Sequence, residues 1–458
     1  MESTLLPPPL PGSPPLQPAF RFGRLGLLLA LLVIAACAVW VVQSQQGERT
    51  EKATSPGTNP NRMLELVARY AIGVKSLMQQ TGQWNAALIP AMLHDMTTMG
   101  RSDADALRIL IVKGWLNEVW PTEAELAAIA AKNASLAKDV AVLGQLQTTQ
   151  GQVEEQAWER LELRHGWIAQ LARTQARAAD DPGREVIVQQ SLGTAMVLLG
   201  GTMLGMLAAV GGLVLLILAI LRWRDGRLRL TLPTSSRDSG GVLIEGFALY
   251  LALFLALPWL LKLLPFTLPR WAVYGPALMA VIIGMAWPRV RGMSGPLWRE
   301  SLGLHRGAGL WREMGAGLLG WLAALPLLVL GMIAATWIVK LTGDFPAHPI
   351  VEVFARDGWA KFGAVMLAVV WAPVTEELMF RGMLFPGLSA WLRWLLGMVS
   401  SAFVFAVIHP QGWAGVPAIM ALAGTFSLLR LWRQSLIAPM TAHALNNGVM
   451  CAMMLLLW

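Results

Sequence analysis

Apolar and polar positions divide the chain into two kinds of territory. An apolar run from Leu25 to Val42 gives way to a polar stretch from 44 to about 190, after which apolar runs return with only short polar loops between them. The later runs lie near 194–221, 242–264, 271–287, 313–339, 361–384, 394–411, 414–430 and 436–457. Most are close to the ~20 residues that a helix needs to cross ~30 Å of hydrocarbon. Together with the first run they predict about nine membrane spans. The polar stretch shows half-buried helices instead. "PTEAELAAIAAKNASLAKDVAVL" opens with a capping box, Thr122 to Glu125, and then spaces apolar residues by three and four. "VEEQAWERLELRHGWIAQLARTQARA", Val153 to Ala178, is a second amphipathic helix with Glu and Arg on its outer face. The expected fold is therefore all-α: a polytopic membrane helical bundle with an inserted soluble helical domain over 44–190, which is scaffold or a surface for a protein partner.

The ends and the charges set the orientation. The head "LPPPLPGSPPLQP" cannot form regular structure, so 1–24 reads as a disordered tail and 25–43 as a signal-anchor helix. A competing reading takes "IAAC" at Ile34 to Cys37 as a lipoprotein cleavage box; the apolar run continues past Cys37 through "AVWVV", which favours the anchor. The chain is 55% hydrophobic and only 14% charged, which excludes an ordinary soluble protein. Its 21 tryptophans against three tyrosines suit extensive bilayer interfaces. The net charge of +8 comes from arginines beside the spans, as in "RWRDGRLRL" (Arg222 to Leu230) and "RVRGMSGPLWRESLGLHR" (Arg289 to Arg306). That is the positive-inside pattern, and it excludes nucleic acid as the reason for the charge. With a cytoplasmic N-terminus, the basic loops 222–240 and 288–312 and the turn bearing Arg430 and Arg433 all fall inside, and 44–190 falls outside. The chain is then a multi-pass protein of the plasma (inner) membrane. Cys37 and Cys451 lie in separate apolar runs and offer neither a disulfide framework nor a metal site.

An ionisable residue deep in a span costs at least ~2.5 kcal/mol and needs a partner or a wet cavity. Such residues concentrate in the last third of the chain. Glu376, Glu377 and Arg381 share one run, "WAPVTEELMFRGMLF"; His409 ends the next, and His443 and Asn447 sit on the last. Glu377 and Arg381 are four apart in the favoured order for an ion pair on one helix face. Glu376 points about 100° away and is left to face a cavity, and Pro373 is placed to kink the helix before it. His443 and Asn447 share a face. Counted along the spans, His409 falls nearer the outer half than the others. Lys262 and Lys340 lie at span ends, His94 and His165 are isolated in the polar stretch, and His305 and His348 sit in loops. Gly201 and Gly205, at GxxxG spacing, predict a close helix–helix approach.

The stretches "EELMFR" (Glu376 to Arg381), "FAVIH" (Phe405 to His409) and "HALNN" (His443 to Asn447) resemble, in order and spacing, the EExxxR, FxxxH and HxxxN/D motifs of the CAAX-protease and bacteriocin-processing family of intramembrane proteases, the ABI family. The resemblance covers roughly 350–455; it makes 341–458 the protease core and 191–340 the preceding membrane block. It implies an endopeptidase acting on a membrane-associated or lipidated peptide or protein. Glu376 would activate water with help from His409, His443 and Asn447 would hold that water or the oxyanion, and Glu377 and Arg381 would support them. The family is commonly called a metalloprotease, and Glu376, His409 and His443 are a donor set for zinc with an open position. A metal-free mechanism uses the same residues, and no HExxH helix occurs. Two other readings compete: a non-proteolytic scaffold or self-immunity factor of the same fold, and a transporter with Glu376 as a proton site. The transporter predicts paired repeats, and no second copy of the glutamate-bearing span is seen.

Overall fold

The structure, a computed structural model, describes residues 24–54, 61–100, 102–178, 180–232, 236–261, 274–342, 354 and 358–457. The proline-rich head, Lys262 and His348 lie outside the described residues. Helices are the only regular structure described. Seven of them are long and apolar enough to cross a membrane. One of the seven, Gly358–Val407, contains two of the expected spans, and a shorter apolar helix, α11 (Tyr274–Val290), corresponds to a third.

A cluster of seven α-helices, α2 (Arg62–Gln80) to α8 (Trp167–Ala176), follows the first apolar helix, α1 (Arg24–Thr54). Its core is built on Leu64, Ile72, Leu107, Leu146, Leu161 and Leu171, all shut off from solvent. The capping box forms as its sequence predicts, with Thr122 and Glu125 each bonding the other's backbone N–H at the start of α5 (Glu123–Lys132). The two long amphipathic helices expected here are each broken. Asn133 ends α5 before α6 (Ala137–Thr148), and Gly166, at φ 59°, separates α7 (Glu155–His165) from α8. His165 is not isolated. It is buried with Nε2 3.3 Å from Asp139 Oδ2, which also accepts from Arg164 Nη1 at 2.6 Å. Burial raises the Asp139 pKa, yet hydrogen bonds from His165 and Arg164 outweigh it and hold that pKa below its ordinary value.

α9 (Pro182–Arg224) joins this cluster to the membrane part as one 43-residue helix. At ~1.5 Å per residue that length is about twice the hydrocarbon thickness. Its first turns belong to the helical cluster: Ile187 enters the core, and Gly73 of α2 lies so close to Ser191 that a Cβ there would meet the Ser191 carbonyl oxygen at 2.1 Å. Farther on, Met203, Leu204, Leu207 and Val210 are exposed, as a lipid-facing surface requires. Arg222 and Arg224 end the helix at the far side.

The basic loops meet at that far end. Thr231 N–H donates to Leu431 O at 3.1 Å, and Gln434 Nε2 donates to Thr231 Oγ1 at 2.6 Å. Arg430, fully buried, donates through Nη2 to Ser301 O at 3.0 Å at the end of α12 (Gly295–Leu302). Arg433 grips Glu313 of α13 (Leu310–Thr342) by two bonds of 2.9 and 2.7 Å. Fork-to-fork bonds of this kind are directional as well as strong. Among the described residues the expected GxxxG contact does not form: nothing lies within 4 Å of a Cβ at Gly205, and Gly201 reaches only Met453. The close approach is at Gly212, where a Cβ would lie 2.1 Å from Leu322 O of α13. Sequence spacing shows that a helix could be approached there, but not where its neighbour crosses it.

Gly212→Ala is therefore expected to cost about 1–3 kcal/mol by overpacking, and Gly201→Ala to stay within about 0.5 kcal/mol of wild type. Thermal unfolding of the detergent-purified chain checks this pair.

Candidate active site

The last third of the chain forms a helical hairpin followed by two more helices, α17 (Gly412–Arg433) and α18 (Ile437–Leu457). The first arm comprises α14 (Gly358–Met366), a π-turn over Leu367–Trp371, α15 (Ala372–Met379), a second π-turn over Phe380–Leu384, and the start of α16 (Phe385–Val407). The helix breaks at Arg393 (φ 65°, ψ 165°) and the chain reverses. Gly397 then presses on the Ser389 backbone, the Phe380 and Phe405 rings meet edge-on at 4.8 Å, and Glu376 meets His409. Glu376 and His409 lie almost equally far along the chain from Arg393, so equal rise per residue sets them at one level. Counting depth along separate spans sets His409 apart from Glu376, whereas the reversal at Arg393 brings the two side chains together.

Glu377 and Arg381 form the buried foundation. Arg381 Nη1 donates to Glu377 Oε1 at 3.1 Å, and both side chains are at most 1% exposed. Arg381 Nη2 donates to Ala423 O at 2.8 Å, and its guanidinium lies between the Phe405 and Phe426 rings, 4.7 and 5.2 Å from their centroids. The same Glu377 oxygen lies 2.8 Å from His443 Nδ1. A carboxylate accepts only, so His443 donates through Nδ1 and turns the lone pair of Nε2 away from Glu377. Its ring stacks on Phe426 at 5.1 Å. His409 is set in the same way: Nδ1 lies 2.5 Å from Phe405 O, a carbonyl that can only accept.

Both Nε2 atoms then look at Glu376. Each lies 3.9 Å from Glu376 Oε2, which is buried and has no hydrogen-bond partner among the described residues. Three acceptors converge on one small volume. Only something that donates or is positively charged satisfies them: a water, a proton or a metal ion.

Asn447 has a partner that its spacing did not reveal: its Nδ2 donates to Ala368 O at 2.8 Å. The cause lies in the helix opposite. In the π-turn the Ala372 N–H bonds Leu367 O, five residues back. The next donor in that register belongs to residue 373, a proline without an N–H, so Ala368 O is left for Asn447. The sequence indicated a disturbance at Pro373 but not the carbonyl it would expose. Phe405, Phe426 and Ala423 O, which position Arg381 and both histidines, were also missed; "FAVIH" contained Phe405, and no sequence signal marked the other two.

Residues 358–449 match the family model described as type II CAAX prenyl endopeptidase Rce1-like. The chain carries an Rce1-like domain. Searches of curated proteins and of solved structures give no match. The Rce1-like domain contains every residue of the cluster, and α1 to α13 lie outside it. Glu376, His409 and His443, the three residues considered for zinc, are brought together in it. Their 3.9 Å separations are about half an ångström wider than the ligand–ligand edge of a tetrahedral zinc with bonds of ~2.0–2.1 Å. No trio of His, Cys, Asp or Glu among the described residues is spaced as a ligand set.

If Asn447 answers Ala368 O, its substitution by Ala strands a half-buried carbonyl and costs about 1 kcal/mol. Pro373→Ala restores a backbone donor, so in that background the cost of Asn447→Ala is expected to fall by more than half. A thermal-unfolding double-mutant cycle measures the coupling.

Proposed function

We propose that the Rce1-like domain is an intramembrane endopeptidase that hydrolyses a peptide bond of a membrane-associated or lipidated substrate with water activated by Glu376. The observation that supports this most is the lone Glu376 Oε2 facing two histidine Nε2 atoms at 3.9 Å each. A water in that space donates one hydrogen to Glu376 and one to a histidine, and keeps a lone pair for a carbonyl carbon. As the water oxygen attacks, its proton passes to Glu376, the general base, with His409 orienting it. When the tetrahedral intermediate collapses, the C–N bond breaks and Glu376 returns the proton to the leaving amine. His443 is held from behind by Glu377 and Arg381, so its ring does not turn as charge moves. Were zinc bound by Glu376, His409 and His443, it would acidify the same water; the roles of this chain's own side chains do not depend on it.

The placement of the site bears on the substrate. His443 lies within two turns of the start of α18, at the end of the bundle where the basic loops meet. Taking that end as cytoplasmic by the positive-inside pattern, the site opens toward the inner half of the bilayer. The helices α2–α8 then lie outside, positioned by α9 to meet a protein partner.

The test compares new protein N-termini in membranes of cells that lack the chain and are re-supplied with wild type or Glu376→Gln. Wild type is expected to generate a set of cleavage products that Glu376→Gln, present in equal amount, does not. Equal products from both would refute the endopeptidase reading.

A further inference from the structure

Hydrolysis of a peptide bond develops negative charge on the carbonyl oxygen, and donors fixed in advance stabilise it best. Several donors around Glu376 already have partners. His409 Nδ1 is on Phe405 O, His443 Nδ1 on Glu377, Asn447 Nδ2 on Ala368 O, and Arg381 on Glu377 and Ala423 O. Thr375 Oγ1 donates to Trp371 O at 2.9 Å. Tyr250, on α10 (Arg237–Leu261), has none among the described residues. It is only 5% exposed, yet its hydroxyl makes no hydrogen bond among the described residues. Buried phenols normally find a partner.

The packing of α10 shows where this hydroxyl belongs. α10 runs antiparallel to the first arm of the hairpin: Gly240 lies against Gly387 and Ala390, Gly246 against Met383, and the Phe247 ring meets Phe380 edge-on at 4.9 Å. The next turn of that register brings Tyr250 to the level of Glu376. The backbone there is held firmly. A Cβ on Gly284 of α11 would fall 2.7 Å from Tyr250 Cβ, and one on Gly246 would fall 2.8 Å from Gly284 O, so α10 and α11 cross in direct contact at this point. Phe247 and Phe254 flank the phenol ring at 5.9 and 5.6 Å.

We propose that Tyr250 is a catalytic residue whose O–H donates to the carbonyl oxygen of the scissile bond as that oxygen becomes an oxyanion. The proposal rests on the endopeptidase reading above. In the step, water oxygen bonds to the carbonyl carbon, the water proton goes to Glu376, and the C=O π pair moves to oxygen, where the Tyr250 hydrogen bond receives it. Collapse restores the C=O bond, breaks C–N and sends the Glu376 proton to nitrogen, so Tyr250 keeps its proton throughout. α10 lies outside the 358–449 match, and the site would thus draw one donor from beyond the Rce1-like domain.

Tyr250→Phe keeps the ring and removes only the hydroxyl. The rate at which wild-type-specific new N-termini appear after induction is followed in membranes with wild type, Tyr250→Phe and Glu376→Gln, each rate scaled to the amount of folded protein from thermal unfolding. Loss of one oxyanion donor is expected to slow Tyr250→Phe by roughly a hundredfold with its unfolding temperature unchanged. Wild-type rates in Tyr250→Phe with none in Glu376→Gln would overturn the role of Tyr250 alone. Wild-type products persisting in Glu376→Gln would overturn the endopeptidase reading and the role of Tyr250 with it.

Discussion

The site depends on one buried charge having two partners. Glu377 Oε1 takes hydrogen bonds from Arg381 on its own helix and from His443 on α18, and all three side chains are nearly or wholly excluded from solvent. An unpaired carboxylate or guanidinium at this depth would be costly, so each partner fixes the position of the others. The arrangement has a chemical result. Because Glu377 can only accept, it sets the tautomer of His443 and points Nε2 toward Glu376. The structural glutamate thereby prepares the ring that faces the reactive one.

Departures from regular helix serve the same site. π-turns flank α15 on both sides, and the first, acting with Pro373, leaves Ala368 O to be bonded by Asn447. That bond ties α18 to the first arm of the hairpin close to where His443 must sit. The reversal at Arg393 levels His409 with Glu376, and Phe405 both orients His409 through its carbonyl and covers Arg381 with its ring. The Glu377, Arg381 and His443 cluster is thus enclosed by aromatic faces and backbone oxygens, an environment in which charge interactions are strong because water does not screen them.

Much of this was legible in the sequence, and the limits have physical causes. Local rules that act within a turn or two were readable: the four-residue spacing of Glu377 and Arg381, the different direction of Glu376, the Thr122–Glu125 cap, and the apolar runs. The order of three polar motifs in apolar helices led to the family resemblance that the match over 358–449 repeats. What was not readable depends on how distant segments meet. The His443 to Glu377 contact joins residues far apart along the chain, and Gly212 rather than Gly201 or Gly205 meets α13 because of where two helices cross. The break at Arg393 has neither glycine nor proline to announce it, and Tyr250 gave no signal inside an ordinary apolar run.

Two adjacent glutamates thus have opposite functions, Glu377 holding the structure together and Glu376 left unpaired for chemistry. Thermal unfolding of Glu376→Gln and Glu377→Gln, side by side in the same detergent, tests this most directly. The prediction is that Glu377→Gln loses about 3–5 kcal/mol because Arg381 is left buried without its counter-charge, while Glu376→Gln unfolds at or above the wild-type temperature. Equal losses, or a larger loss from Glu376→Gln, would contradict the division of roles.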